Sequence, residues 1–139
     1  LERGIEEELL DYCSTNNIGI VYNPMQKGLL TGKFTREWVQ NLPEDDHRRK
    51  DRYFQEPELS VNLELVEAGS IAEKNNRTAG QLAIAWALRH PEITAAIVGA
   101  RRPSQIQIEE TAVAGEWVLS REDVATIEML LNNHQKALS

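Results

Sequence analysis

Two stretches of this chain carry residue types that bind anions. The first is Ala95-Ala96-Ile97-Val98-Gly99-Ala100-Arg101-Arg102-Pro103. It predicts a short buried strand, a glycine turn, two arginines and a helix opened by proline. At such a strand end the free N–H groups of the helix start point outward, and arginine adds fixed positive charge. The second is Asn23-Pro24-Met25-Gln26-Lys27-Gly28-Leu29-Leu30-Thr31-Gly32-Lys33, directly after an apolar run of strand length. Its lysines can meet an anion, and ligands bind at the C-terminal ends of parallel strands. Read alone, this loop fits a structural turn better than a phosphate site. It is not a Walker loop, because the glycine spacing and the following Ser/Thr are absent.

Other chemistry finds little support. Cys13 is the single cysteine, so no internal disulfide forms; it sits on the apolar side of a predicted helix and reads as packing, in a reducing compartment. His47, His90 and His134 lack metal-ligand spacing and read as surface or loop histidines. Asp45-Asp46 and Glu6-Glu7-Glu8 read as solvated charge, not an acid/base pair. His47-Arg48-Arg49-Lys50-Asp51-Arg52 is a local basic cluster, read as a solvated loop because acidic residues flank it. The net charge of −7 argues against a general nucleic-acid binder. No apolar run reaches the length of a membrane span and no signal peptide is visible, so the expected location is cytoplasmic. The chain begins at Leu1 rather than Met, which fits a piece of a longer chain, a trimmed one or unusual initiation.

The elements that position these loops follow from periodicity. Gly4 to Asn16 predicts an amphipathic helix, with Ile5, Leu9 and Cys13 as its stripe and Leu10 broadening it. Ile18 to Tyr22 predicts a strand covered on both faces. Asn23 to Leu59 reads as a long loop with one short helix near Thr35 to Asn41. Ser60 to Asn76 predicts a helix capped by Ser60. Thr78-Ala79-Gly80-Gln81 fits a capping box, opening a helix that is apolar nearly all round to Arg89 and therefore buried. The strand Ala95 to Val98 and a helix from Pro103 to about Val113 follow. Ser120 caps a last helix, with a polar tail fraying from Asn132. This makes one domain over residues 1–139, with two strands and five or six helices.

The strings "GIVYNPMQKGLLTGKF" and "TAGQLAIAWALRHPEITAAIVGARRPSQI", with "LERGIEEELLDYCSTNN" before them, resemble the C-terminal part of aldo-keto reductases in the family's order. The resemblance implies an α/β fold: a partial (βα)8 TIM-barrel fragment comprising the last two strands and their helices, mostly helical as an isolated chain. It implies NADP as cofactor. Asn23, Pro24, Met25, Gln26 and Lys27 would hold the pyrophosphate, Gly99, Arg101 and Arg102 the adenosine 2′-phosphate, and Gln105 the adenosine, while Lys33 would take a further cofactor position. "SQIQIEETA" runs two residues longer than the family's usual pattern, so an ungapped alignment puts Glu109 at the adenine position and a gapped one Thr111. Two residues turn a helix by about 200°.

The family's catalytic Tyr, Lys, Asp and His lie on earlier strands, so the resemblance implies that this chain alone is not catalytic. A two-stranded parallel ribbon has open edges. The expected partners are a second copy of the chain or an N-terminal complement. The competing reading is a non-catalytic, self-associating helical protein or interaction module.

Overall fold

The computed structural model describes residues 1–139 apart from 69, 101, 102 and 104–107, and gives only the backbone of residues 68 and 108–111. Its elements run α1 (Leu9–Thr15), β1 (Ile20–Tyr22), α2 (Arg36–Gln40), α3 (Glu58–Ala68), α4 (Ile71–Lys74), α5 (Ala79–Leu88), β2 (Ile93–Ala96), α6 (Ile108–Gly115) and α7 (Arg121–Ala137). Short 3-10 turns cover Gly4–Glu6, Gln26–Thr31, His47–Lys50 and Arg52–Phe54. The strands form a two-stranded parallel sheet, Ile20 opposite Ile93 and Tyr22 opposite Ala96. The mostly helical chain with its two expected strands is therefore observed.

Strand boundaries move for identifiable reasons. Ile18 does not enter β1, because its N–H bonds to the Cys13 carbonyl at 2.8 Å and closes α1 behind a left-handed Asn17. β2 begins at Ile93 instead of Ala95, since the Thr94 hydroxyl accepts from the Ile20 N–H and locks the register there. Past its end, the Ile97 N–H still donates to the Tyr22 carbonyl at 2.7 Å. Nor is β1 covered on both faces: Val21 is 60% exposed.

The first predicted helix breaks into a 3-10 turn and α1, with Glu8 in a turn of non-helical geometry between them. Its buried stripe is Leu10 and Cys13, while Leu9 lies outward. The predicted helix over residues 60–76 begins instead at Glu58 and is divided into α3 and α4. Ser60 is not its cap; its hydroxyl binds Glu56 and accepts from Arg36. The predicted helix from Pro103 is described from Ile108 to Gly115. The tail does not fray at Asn132, since α7 runs to Ala137. The His134 imidazole anchors it, 2.7 Å from the Asn62 Oδ1, and Asn62, fully buried in α3, donates through Nδ2 to the Tyr53 carbonyl. The imidazole is therefore not a surface group, and burial lowers its pKa.

The long loop is the largest correction. Residues 34–59 form a packed excursion with α2 at the predicted place and a core of its own: Leu29, Val39, Leu42, Phe54 and Leu59. Loops of this length need internal burial to stay ordered. Phe34 meets Trp38 and Phe54 edge-on, and Arg48 lies over the Phe34 and Trp38 rings while pairing with Asp46. Within the basic cluster His47, Arg49, Lys50 and Arg52 are exposed, as expected of a solvated loop, and Arg48 departs from it. Arg48 is buried, Arg49 donates to the Leu42 carbonyl, and Arg52 binds Glu2.

The capping box of α5 is present, with the Gln81 N–H donating to the Thr78 hydroxyl and the Thr78 N–H to the Gln81 side chain. Its apolar circumference is only partly buried: Ile84, Ala85 and Ala87 are inside, while Leu82, Ala83 and Trp86 line an apolar groove against Leu65 and Leu130. Thr78→Ala is expected to cost about 1 kcal/mol, read as a lower urea midpoint with unchanged slope.

Candidate functional site

Parallel pairing brings together the two stretches expected from the sequence to meet an anion. Because β1 and β2 are neighbours and run the same way, the Asn23 loop and the Gly99 turn leave the same end of the sheet. The 2.7 Å bond from Ile97 to Tyr22 places these exits side by side.

The Asn23 loop is held in one shape. The Asn23 Oδ1 accepts from the Met25 N–H, while Gly28 and Leu30 both donate to the Met25 carbonyl. Pro24 is buried and Met25 half-buried against α5, where a Cβ on Gly80 would stand 3.3 Å from the Met25 Cε. Gln26, Lys27 and Gly28 all have positive φ, a conformation costly for the two side-chain-bearing residues and one that clusters at functional sites. Leu29 plugs the loop into the excursion's core at zero exposure.

Lys27 and Lys33 differ. The Lys27 ammonium forms an ion pair with Asp51, whose other oxygen caps the N–H of Tyr53. Lys33 is exposed and makes no ion pair among the described residues. Gly99 is exposed, and a Cβ there would meet nothing within 4 Å, so the turn is open to an approaching group. Arg101, Arg102 and Gln105 lie outside the described residues, as do the side chains of Glu109 and Thr111.

Glu6, expected from the sequence to be solvated, is instead the centre of a charged cluster. Glu6 accepts from Arg3 at 2.6 Å and from Arg89 at 2.8 Å, and the Arg89 guanidinium stacks 3.4 Å over the Trp86 ring. His90 is half-buried with Nε2 3.2 Å from the same carboxylate. Burial opposes the charge on Glu6, but the hydrogen bonds and charges of Arg3 and Arg89 outweigh it and bring the pKa down to about 2. Asp46, likewise expected to be solvated, is held below the usual carboxylate range chiefly by its hydrogen bonds from Arg48. Only the charge pattern Arg3…Glu6 hinted at such pairing in the sequence; Arg89 is 83 residues away.

The tyrosines show no acid-catalyst arrangement. The Tyr22 hydroxyl donates to the Glu2 carbonyl and its pKa is raised, first by burial and then by Glu2 and Glu6. The Tyr53 hydroxyl accepts from Arg52, and Tyr12 is exposed. Among the described residues no group of His, Cys, Asp and Glu has metal-binding geometry, and no helix is long and apolar enough to cross a membrane.

A profile of the Aldo/keto reductase family matches residues 1–132. The chain belongs to this family. It is 34% identical over 135 residues to the aldo-keto reductase YhdN of Bacillus subtilis (strain 168), covering 95% of this chain and 40% of that protein. It is 39% identical over 97 residues to the aldo-keto reductase yakc [NADP(+)] of Schizosaccharomyces pombe, covering 68% and 28%. Over 109 residues it is 31% identical to the NADH-specific methylglyoxal reductase of Escherichia coli, covering 77% and 32%. Its fold matches the solved structure of the glycerol dehydrogenase AKR11B4 from Gluconobacter oxydans with a TM-score of 0.82 and 31% identity, over 96% of this chain and 40% of that one. The chain thus spans about two fifths of the reductase YhdN and of the solved dehydrogenase, and its two parallel strands are a partial set of a TIM barrel's eight.

Proposed function

We propose that this chain is the dinucleotide-binding portion of an NADP-dependent aldo-keto reductase and does not transfer hydride by itself. The observation that carries the proposal is the shared C-terminal end of the sheet, where the preorganised Asn23–Lys27 loop and the open Gly99 turn emerge side by side. The cationic and backbone donors there suit a phosphate-bearing ligand. In this reading Asn23, Pro24, Met25, Gln26 and Lys27 line the pyrophosphate, and Lys33 makes a further cofactor contact. Gly99, Arg101 and Arg102 face the 2′-phosphate, and Gln105 and Glu109 the adenosine. The nicotinamide, when bound, supplies the hydride. The chain's own residues supply binding and orientation, and no described tyrosine hydroxyl is paired with a lysine to act as proton donor. The relatives' names include both an NADP(+) enzyme and an NADH-specific one, so the nucleotide itself is a point to test.

Fluorescence titration with NADPH, with NADH in parallel, tests this. NADPH is expected to bind saturably and more tightly than NADH, with affinity falling as salt rises. Lys27→Met is expected to weaken NADPH about tenfold, the scale of one lost charge-assisted hydrogen bond. Absence of NADPH binding at either salt concentration rejects the proposal.

The exposed apolar side chains Leu9, Tyr12, Ile18, Val21 and Ile97 favour a second reading in which the chain associates through its sheet edge, with itself or with a complementary set of strands. Light scattering on a gel-filtration peak tests the self-association; a monomer of 15.8 kDa counts against it.

A further inference from the structure

The geometry points to Asp51 as a gate on the Lys27 ammonium, an internal anion that holds this lysine until a phosphate-bearing ligand draws it away. The inference rests on the reading above that Lys27 faces the ligand's phosphates. The two residues are 24 positions apart and meet only because the excursion folds back on the Asn23 loop. Asp51 is the fixed partner. Its side chain is 9% exposed against 47% for Lys27, and its second oxygen caps the Tyr53 N–H at 3.0 Å. The turns around it are fastened in turn, through Arg48 on Asp46 and through the Phe54 side chain in the excursion core. Lysine is the movable partner, a point charge on a flexible four-carbon stem.

A ligand phosphate must therefore compete with a carboxylate that cannot follow the lysine. The competition lowers affinity for every anion. The fixed carboxylate also repels an arriving anion, the more so the more charge that anion carries. Asp51 touches Lys27, so it is a positioning residue that sets how readily the ammonium is released. A purely structural brace would have the opposite sign: removing it would disorder the loop and weaken binding.

The test compares the wild-type chain, Asp51→Asn, Lys27→Met and the double variant, with NADPH and inorganic pyrophosphate as probes. Asparagine keeps an oxygen for the Tyr53 N–H, and Asp51→Ser, another helix-capping residue without charge, serves if the first variant folds poorly. Asp51→Asn is expected to tighten both probes about fivefold and to have no effect on the Lys27→Met background. A second reading needs no ligand: acylation of lysines by a neutral amine-reactive ester, mapped by mass spectrometry, is expected to be several-fold faster at Lys27 in Asp51→Asn, with Lys33 unchanged as internal reference. If Lys27→Met weakens binding while Asp51→Asn weakens it or leaves it unchanged, the gate is overturned and the phosphate reading stands. If Lys27→Met changes nothing, Lys27 does not serve the ligand and both fall together. Equal acylation of Lys27 in wild type and Asp51→Asn also overturns the gate.

Discussion

Leu29→Ala is expected to lower the stability of this chain by about 3 kcal/mol, in the range for truncating a fully buried leucine. Leu29 has no exposed surface and sits at the centre of the cluster with Val39, Leu42, Phe54 and Leu59. It belongs to the Asn23–Lys33 loop, whereas the other four belong to the excursion and the start of α3. Its side chain is therefore the joint between the candidate binding loop and the segment that carries Asp51. Truncation leaves a cavity that the short turns on either side, already at positive φ in Gln26, Lys27 and Gly28, have little freedom to close. The urea midpoint should fall accordingly, and NADPH binding should weaken along with it, because the loop loses its anchor. A loss below about 1 kcal/mol would mean that the cavity collapses easily and that the excursion is not a core in its own right.

The second large effect lies in Glu6. A carboxyl held at about 2 in the folded chain, against 4.5 ordinarily, contributes stability that is fully present above pH 4.5 and is lost as the pH falls through about 2. At roughly 1.4 kcal/mol per unit the shift would amount to about 3 kcal/mol, and partial exposure of the Arg3 side of the pair reduces this to about 2 kcal/mol. Glu6→Gln should cost that much at pH 7, since it also leaves the Arg89 guanidinium, only 14% exposed, without its anion. The sign is specific. The gap between wild type and Glu6→Gln should close as the pH is lowered from 4.5 toward 2, because the wild-type carboxyl then becomes neutral too. Denaturant curves at pH 7, 4 and 2.5 measure it. A gap that stays constant over this range would assign the loss to packing rather than to the ion pairs.

Much of the local structure was legible from residue order. The capping box at Thr78 and Gln81, the Ser120 cap of α7, the short α2 and the burial of Cys13 each depend on neighbours within a few positions, and each is found. The family was legible for a related reason. The loops around Gly28 and Gly99 combine turn glycines, prolines and cations in an order that few other arrangements share. Charge was not legible in this way. Residue order predicts solvated or superficial positions for Glu6, Asp46, Arg48 and His134, and all four have partners inside the fold.

Sequence by itself therefore determined the family and the order of helices and strands, because these follow from short-range periodicity, caps and turn chemistry. The tertiary structure alone decided which charges are paired inside the fold. Arg89 reaches Glu6, His134 reaches Asn62 and Asp51 reaches Lys27 across 83, 72 and 24 positions. Pairings of that kind are set by how the excursion and the helices pack around a two-stranded sheet, and electrostatic free energy depends on distance in space and on burial, neither of which is written in the spacing of residues along the chain.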